Sequence, residues 1–309
     1  MILPQIMETE ILQRCGICQS IVLDVVDADC NVVRCRNCDY IFDSPRPTLE
    51  ELVRFYSRPT QYDSWLTQLP ARDRLWKRRL SKLRATKKSG SLLDVGTGIG
   101  QFLSLARGSY AEVYGTEVST SAVQLAKEKY QLDLFQGTLD DLLMQRKVFD
   151  NITLFHVLEH VPEPRSLLEN CSRLLSAQGI LVIAVPNEVA ALRAFVRRVL
   201  MKMGIKKQTR LGKFGLPRIS LAPDSDEVHL SHFTPKVLHR LLQTTGFSVI
   251  ESTLDPYYVA QGMARLKADI YYHLCGAFLR IFRLNVYDTM LVIARKTATG
   301  SDAELADVR

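Results

Sequence analysis

A chain of 309 residues can bury a full α/β core and still carry one small extra module. Its 47% hydrophobic and 24% charged content excludes a disordered or fibrous chain, and its longest apolar candidate, 270 to 286, is broken by His273, Arg280 and Arg283 and excludes a membrane span. The net charge of +7 favours acidic partners without choosing among nucleotides, nucleic acids and anionic membranes.

The first eight residues lack a basic n-region and a cleavage site, so the expectation is a cytoplasmic protein, with peripheral contact on the inner membrane surface as an alternative. Four of the seven cysteines, Cys15, Cys18, Cys35 and Cys38, form C-x2-C-x16-C-x2-C, the spacing of a four-thiolate zinc site. Apolar runs at 21–26 and 31–34 flank a polar tip at 27–30, which predicts a hairpin between the two pairs. A closed four-sulfur shell leaves no open position, so this zinc is read as structural, in a ribbon over 1–45. Cys30, Cys171 and Cys275 are left over as small buried or partly exposed residues.

Pro45 and Pro47 break regular structure and begin a linker and basic helical lid, 46–89. Helices are predicted over 47–56 and 72–88. The second carries Arg72, Arg74, Lys77, Arg78, Arg79, Lys82, Arg84, Lys87 and Lys88, either as a solvated face or as an anion-binding lid over a ligand.

At Ser91 a short apolar strand leads into Asp94, Gly96, Thr97, Gly98 and Gly100, and then into a helical start at Ile99, Phe102 and Leu103. A backbone without Cβ can approach a ligand closely, while the helix turns its unpaired N–H groups to the same point. A dinucleotide fingerprint counted from Gly96 needs glycine at 101, where Gln101 stands. Strand 112–117 closes on Glu117, about 20 residues after the glycines, where an acid accepts from ribose hydroxyls. Further strands at 132–136, 149–155 and 179–185 alternate with helices near 99–107, 119–129 and 164–175, which demands a doubly wound parallel sheet.

Beyond Pro186, Val189 to Ile205 is amphipathic and basic, and can cap the site, pack internally or lie on an anionic membrane. A capped helix then ends at Gly246, a strand runs over 248–254, an amphipathic helix over 259–284 and a last strand over 289–294. Residues 297–309 are polar and aperiodic, as in a disordered tail.

The pattern from Asp94 to Gly100 resembles motif I of the class I S-adenosylmethionine-dependent methyltransferases. The segment from Phe149 to Pro164, with Leu158-Glu159-His160-Val161-Pro162, resembles a broad subgroup that includes the ubiquinone-pathway O-methyltransferases. The likeness covers roughly 90–186 and, more loosely, 229–296. It implies a seven-stranded Rossmann-like sheet of order 3-2-1-4-5-7-6 with the last strand antiparallel, in a domain over 90–296 with insertions at about 187–232 and 255–286. It also implies S-adenosyl-L-methionine as cofactor, held by Asp94, Gly96, Thr97, Gly98 and Gly100 around its methionine end. Glu117 would take the ribose and Thr138, Leu139 and Asp140 the adenine, Thr138 standing where many members carry an acid.

His156, Glu159 and His160, at i, i+3 and i+4 of one expected helical face, are the catalytic candidates. His160 can act as a base oriented by Glu159, all three can bind a catalytic divalent metal as in the ubiquinone-pathway relatives, or they can cap the helix. His156 replaces the first acid of that metal set. His229 and His232 can reach the same pocket.

The zinc ribbon with Ser44-Pro45-Arg46-Pro47 resembles bacterial methyltransferases of glycan and secondary-metabolite pathways, which implies O-methylation of a small or carrier-linked acceptor, and the net charge of +7 makes an anionic acceptor the expectation. Two alternatives stand beside it. One is an RNA base methyltransferase, because 23S rRNA guanine methyltransferases also place a zinc ribbon before this fold; the helix over 72–88 would then track phosphates. The other is a non-catalytic cofactor-binding protein.

Overall fold

The computed structural model describes residues 7–87, 89–204, 211–212, 214–222, 225, 227–256, 260 and 262–297. The expected tail beyond 297, Lys88 and parts of both expected insertions lie outside the described residues.

The chain opens with five short strands, β1 (Thr9–Glu10), β2 (Leu23–Asp27), β3 (Val32–Cys35), β4 (Ile41–Asp43) and β5 (Arg46–Pro47). β2 and β3 form the predicted antiparallel hairpin, and Asn31 closes its tip in the left-handed region, which asparagine tolerates. Three helices follow: α1 (Leu49–Tyr56), α2 (Asp63–Thr67) and α3 (Leu69–Thr86). Thr48 caps α1 by accepting from the Glu51 N–H, and Pro70 occupies the first turn of α3, where its missing N–H costs nothing. The periodicity of the basic stretch predicted α3 to within three residues at its start.

Next come β6 (Ser91–Val95), α4 (Gln101–Ala106), β7 (Glu112–Glu117), α5 (Thr120–Tyr130), β8 (Phe135–Gln136), α6 (Leu139–Leu143), β9 (Phe149–Phe155), α7 (Pro164–Leu174) and β10 (Leu175–Pro186). The chain finishes with α8 (Leu192–Lys202), β11 (Ser231–His232), α9 (Pro235–Thr244), β12 (Phe247–Leu254), α10 (Gly262–Phe282) and β13 (Thr289–Lys296).

Seven strands make one sheet in the order β12-β13-β10-β9-β6-β7-β8, parallel except that β13 runs antiparallel to both neighbours. Numbered within the sheet, this is the expected order 3-2-1-4-5-7-6. Both faces are covered. Leu93, Ile152, Leu154 and Ile183 pack under α6, α7 and α9, and Leu92, Phe155, Val182 and Ala184 pack under α3 and α4. Neighbours such as Leu92 and Leu93 serve opposite faces because a strand alternates its side chains, and a doubly covered strand therefore reads as an unbroken apolar run.

The N-terminal hairpin is continuous with this core. Ile17, Tyr40 and Phe42 belong to the same buried cluster as the sheet and α9, and Tyr40 lies 5.8 Å from Phe233, ring to ring. β11, which follows the long departure after β10, pairs antiparallel with β4 and completes a four-stranded sheet β11-β4-β3-β2.

Candidate active site

The loop after β6 is built from below and open above. Beneath it, Asp94 accepts from Thr97 Oγ1 at 2.5 Å and from Thr153 Oγ1 at 2.6 Å, and burial pushes its carboxyl up to about 6 against those two bonds. Gly96 and Gly98 both have positive φ; a Cβ on Gly98 would lie 2.9 Å from the Trp65 ring and one on Gly96 2.7 Å from Val157 Cγ2. The Gly98 N–H donates to Glu117 Oε2 at 2.8 Å, and the Val118 and Ser119 N–H groups donate to Glu117 Oε1, both at 2.9 Å. Burial raises the Glu117 carboxyl while these donors oppose the rise.

Gly96, Gly98, Glu117, Thr138, Leu139 and Asp140 stand together in the wall of a cavity of about 510 Å³. Asp94, Thr97 and Gly100 do not reach that wall. The Thr138 hydroxyl and N–H both donate to Asp141 Oδ2, at 2.8 and 2.9 Å, and Asp140 accepts from Asn170 Nδ2 at 2.8 Å.

The roof comes from the basic lid. Trp65 of α2 covers Gly98, and the Arg72 guanidinium of α3 stacks 3.6 Å from the Trp65 ring centroid. A solvated face does not describe all of α3: Arg72 and Arg79 are buried, Arg79 between the Trp76 and Phe155 rings and bonded to the Asp255 carboxylate. Arg72 is the one lysine or arginine in the cavity wall among the described residues, against five carboxylates: Glu10, Glu117, Asp140, Glu163 and Glu227.

The loop after β9 corrects one expectation. His156, Glu159 and His160 do come together, but on a turn and not on a helical face. His156 has a φ of 59° and its N–H donates to Ala184 O, the His160 N–H donates to Val157 O, and α7 starts only at Pro164. Pro162 and Pro164 explain the delay, since proline disfavours helical geometry in the residue before it. A spacing of three and four residues suits such a turn as well as a helix.

Glu159 is buried and its Oε1 lies 3.0 Å from His156 Nδ1 and 3.8 Å from His160 Nε2. Burial opposes its ionisation, but the His156 bond and the neighbouring imidazoles hold its carboxyl below the usual range. His160 Nδ1 lies 2.6 Å from Val228 O, which assigns a proton to Nδ1 and leaves the Nε2 lone pair free to accept. Burial lowers the His160 pKa; Glu159 opposes that and His229 adds to it, so the ring is neutral at neutral pH.

His229 and His232 enter a buried chain that the sequence did not reveal. His229 Nδ1 lies 2.9 Å from Glu188 Oε1, His232 Nδ1 lies 2.7 Å from Glu188 Oε2, and His232 Nε2 lies 2.9 Å from Asp43 Oδ2. Burial would lower both imidazoles, but the flanking carboxylates overcome it, holding His229 well above its usual value and His232 at about 9. His160 and His229 rings stand 4.9 Å apart, so alternating acids and imidazoles link the end of the N-terminal hairpin to the cavity.

Glu159, His160 and His229 each offer one ligand atom within 4.8 Å of the others, and Glu159 Oε2 is buried without a hydrogen-bond partner. An oxygen and two imidazole nitrogens suit a divalent ion. His229 enters this set in place of the expected His156.

A second cluster lies at the far end. Cys15, Cys18, Cys35 and Cys38 sit on two turns with one hydrogen-bond pattern. Cys15 and Cys35 donate their N–H to Ser20 O and Tyr40 O, and Gln19 and Asp39, both at positive φ, donate back to Cys15 O and Cys35 O. Their sulfurs lie within 4.8 Å of one another, two pairs at 3.5 Å. A tetrahedral zinc with bonds of about 2.3 Å spaces its sulfurs about 3.8 Å apart, so the four thiols fit that ion.

Comparison with known proteins places the fold in a family. The family described as "Methyltransferase domain" matches residues 68–252, more than half of the chain. The ubiquinone biosynthesis O-methyltransferase of Glaesserella parasuis serovar 5 is 35% identical over 109 residues, 32% of this chain and 46% of that one. Its counterpart in Haemophilus ducreyi is 30% identical over 151 residues, 43% of this chain and 63% of that one. The chain thus spans about half the length of the curated relatives it matches. Magnesium protoporphyrin IX methyltransferase from Synechocystis PCC 6803, solved with bound SAH, superposes with a TM-score of 0.50 at 16% identity, covering 80% of this chain and 100% of that one; this likeness is one of fold. The chain belongs to the methyltransferase-domain family, among the class I S-adenosylmethionine-dependent methyltransferases.

Proposed function

We propose that the protein transfers a methyl group from S-adenosylmethionine to an oxygen of a small or carrier-linked acceptor that is uncharged at the reacting end. The observation that carries this reading is the convergence of Gly96, Gly98, Glu117, Arg72 and His160 on one cavity. Glu117, desolvated and strand-anchored, keeps acceptor capacity on Oε2 for a ribose hydroxyl beside its three backbone donors, and Arg72 supplies a guanidinium for a carboxylate beside the glycine loop. Arg46 pairs with Glu10 and Glu163, which leaves Glu117, Asp140 and Glu227 against Arg72; that balance favours a cationic sulfonium over an anionic acceptor, so the anionic acceptor expected from net charge is set aside.

When bound, S-adenosylmethionine supplies an electrophilic methyl carbon. This chain's part is to hold the acceptor in line with it and remove the hydroxyl proton. His160 Nε2 is the proposed proton acceptor, with Nδ1 pinned by Val228 O and Glu159 beside the imidazolium that results. Trp65 and Tyr62 exclude water above the loop.

A second reading has a specific observation behind it. Glu159, His160 and His229 would hold a divalent ion, which would lower the pKa of the acceptor hydroxyl. At the N-terminal end, a structural zinc on Cys15, Cys18, Cys35 and Cys38 completes the proposal. RNA methylation is disfavoured by the acidic wall and by the burial of Arg72 and Arg79 on the helix that would track phosphates.

The test is methyl transfer from labelled cofactor into fractionated extract, with the labelled pool then used as substrate. His160→Ala is expected to reduce turnover by about 10²–10⁴-fold while cofactor affinity holds. An unchanged rate removes His160 from the chemistry. Magnesium rescue of a chelated enzyme, absent in His229→Ala, would favour the divalent reading. Cofactor binding without transfer to any pool would leave a binding protein.

A further inference from the structure

α8 and α10 each turn a stripe of large apolar side chains to solvent. On α10 the stripe is Met263, Leu266, Ile270, Leu274 and Ile281, with Met263 and Ile281 at 70% and 71% exposure. On α8 it is Leu192, Phe195, Val196, Val199 and Met203. At about 100° per residue each set falls within an arc of roughly 100° on one helical face. Cys275 is the single buried residue along the 21 of α10, a helix of about 31 Å. The helices adjoin: the Arg193 guanidinium sits 3.9 Å from the Tyr271 ring centroid and 2.8 Å from Asp288, and the Leu192 N–H donates to Val286 O. The first turn of α8 therefore lies beside the middle of α10.

Charge identifies what covers it. Arg193, Arg197, Arg198 and Lys202 on α8, with Arg265, Lys267, Arg280 and the adjoining Arg283, face a single acid on these helices, Asp269. Asp288 pairs with Arg193 beside them, so eight basic residues against two acids leave a surplus of six. Apolar stripes bordered by arginine and lysine match an interface where acyl chains meet anionic headgroups. No helix among the described residues is long and apolar enough to cross a membrane. Docking against a second copy would bring two such positive surfaces together.

We propose that α8 and α10 form a docking face for an anionic membrane surface, with the stripes at the acyl boundary and the basic side chains among the phosphates. This stands independently of methyl transfer.

The test is co-sedimentation of the full chain with phosphatidylcholine vesicles, with and without phosphatidylglycerol. Binding is expected with the anionic vesicles, weakening as salt rises. Leu274→Asp with Ile281→Asp is expected to abolish it, with thermal unfolding and cofactor affinity unchanged because both side chains are exposed. Lys202→Gln, Lys267→Gln and Arg280→Gln are each expected to weaken partitioning about fivefold. No binding to either vesicle, equal binding to both, or wild-type binding by the double variant would overturn the proposal. So would a dimer in sedimentation velocity that the double variant splits, or an acidic protein captured by the intact face in place of vesicles.

Discussion

Around the cavity Arg72 stands among five carboxylates, two of them paired with Arg46, whereas α8, α10 and the adjoining Arg283 carry eight basic residues against Asp269 and Asp288. The two regions belong to one chain of net charge +7, and that sum describes neither of them. Fields fall off within about 8–10 Å at ordinary salt, so each region meets its partner through its own charges. The acidic wall suits a sulfonium, and the basic face suits an anionic surface.

Four measurements break or sharpen this contrast. The largest effect is expected at the N-terminal cluster, where Cys35→Ser removes a zinc ligand of the proposed site and loosens β3, the strand that β4 and its Asp43 pair with. Stability should fall by at least about 3 kcal/mol, read by calorimetry with zinc content measured alongside. Retention of stoichiometric zinc with unchanged unfolding would detach that cluster from the account.

Gly98→Arg comes next, since even a Cβ at this position meets the Trp65 ring. Cofactor affinity is expected to drop by about 100-fold or more, roughly 2.7 kcal/mol by titration calorimetry. Undiminished affinity would move the cofactor out of the acidic cavity and end the comparison. Arg72→Ala tests the single wall cation, with an expected loss of about 10–100-fold in cofactor affinity, the range of a charge-assisted hydrogen bond of ~1.5–3 kcal/mol. Arg72→Lys should recover part of it, because the charge remains while the planar fork is lost.

The smallest effect is one of pH. His232 titrates at about 9 in the folded protein against 6.5 when free, held up by Asp43 and Glu188 despite its burial. A raised folded value contributes stability that is fully present below 6.5 and is lost as pH climbs through about 9. Stability should therefore fall across that window, read as an unfolding temperature that drops between pH 6.5 and about 9. His232→Gln should flatten the slope; an equal slope in that variant would assign it elsewhere.

Legibility in the sequence followed locality. Gly96 and Gly98 alternate within three residues and Glu117 ends the next strand, so spacing alone brought these three to one cavity wall, while Gly100 shares the pattern and does not line it. The paired cysteines were readable for the same reason. Arg72, Tyr56, Glu188 and Glu227 were not, because their places depend on how α1, α3 and the segment before β11 fold over the sheet. Arg72 looked like one of nine interchangeable basic residues until packing put it on Trp65. His156 shows a different limit: the triad was found, but its helix was inferred from a period that a left-handed turn also satisfies. Asp43 fell within the bounds of the expected ribbon with no role assigned, although it anchors His232.

The pairing of β11 with β4 makes the cysteine-bearing head difficult to exchange. A graft that took only the N-terminal residues would strip β11 of its neighbour and leave His232 without Asp43, while a foreign head would need an edge that accepts Ser231 and His232 in register. Chimeras should therefore carry the stretch from Glu227 to Phe233 together with whichever head it was matched to, much as a key is cut together with its lock.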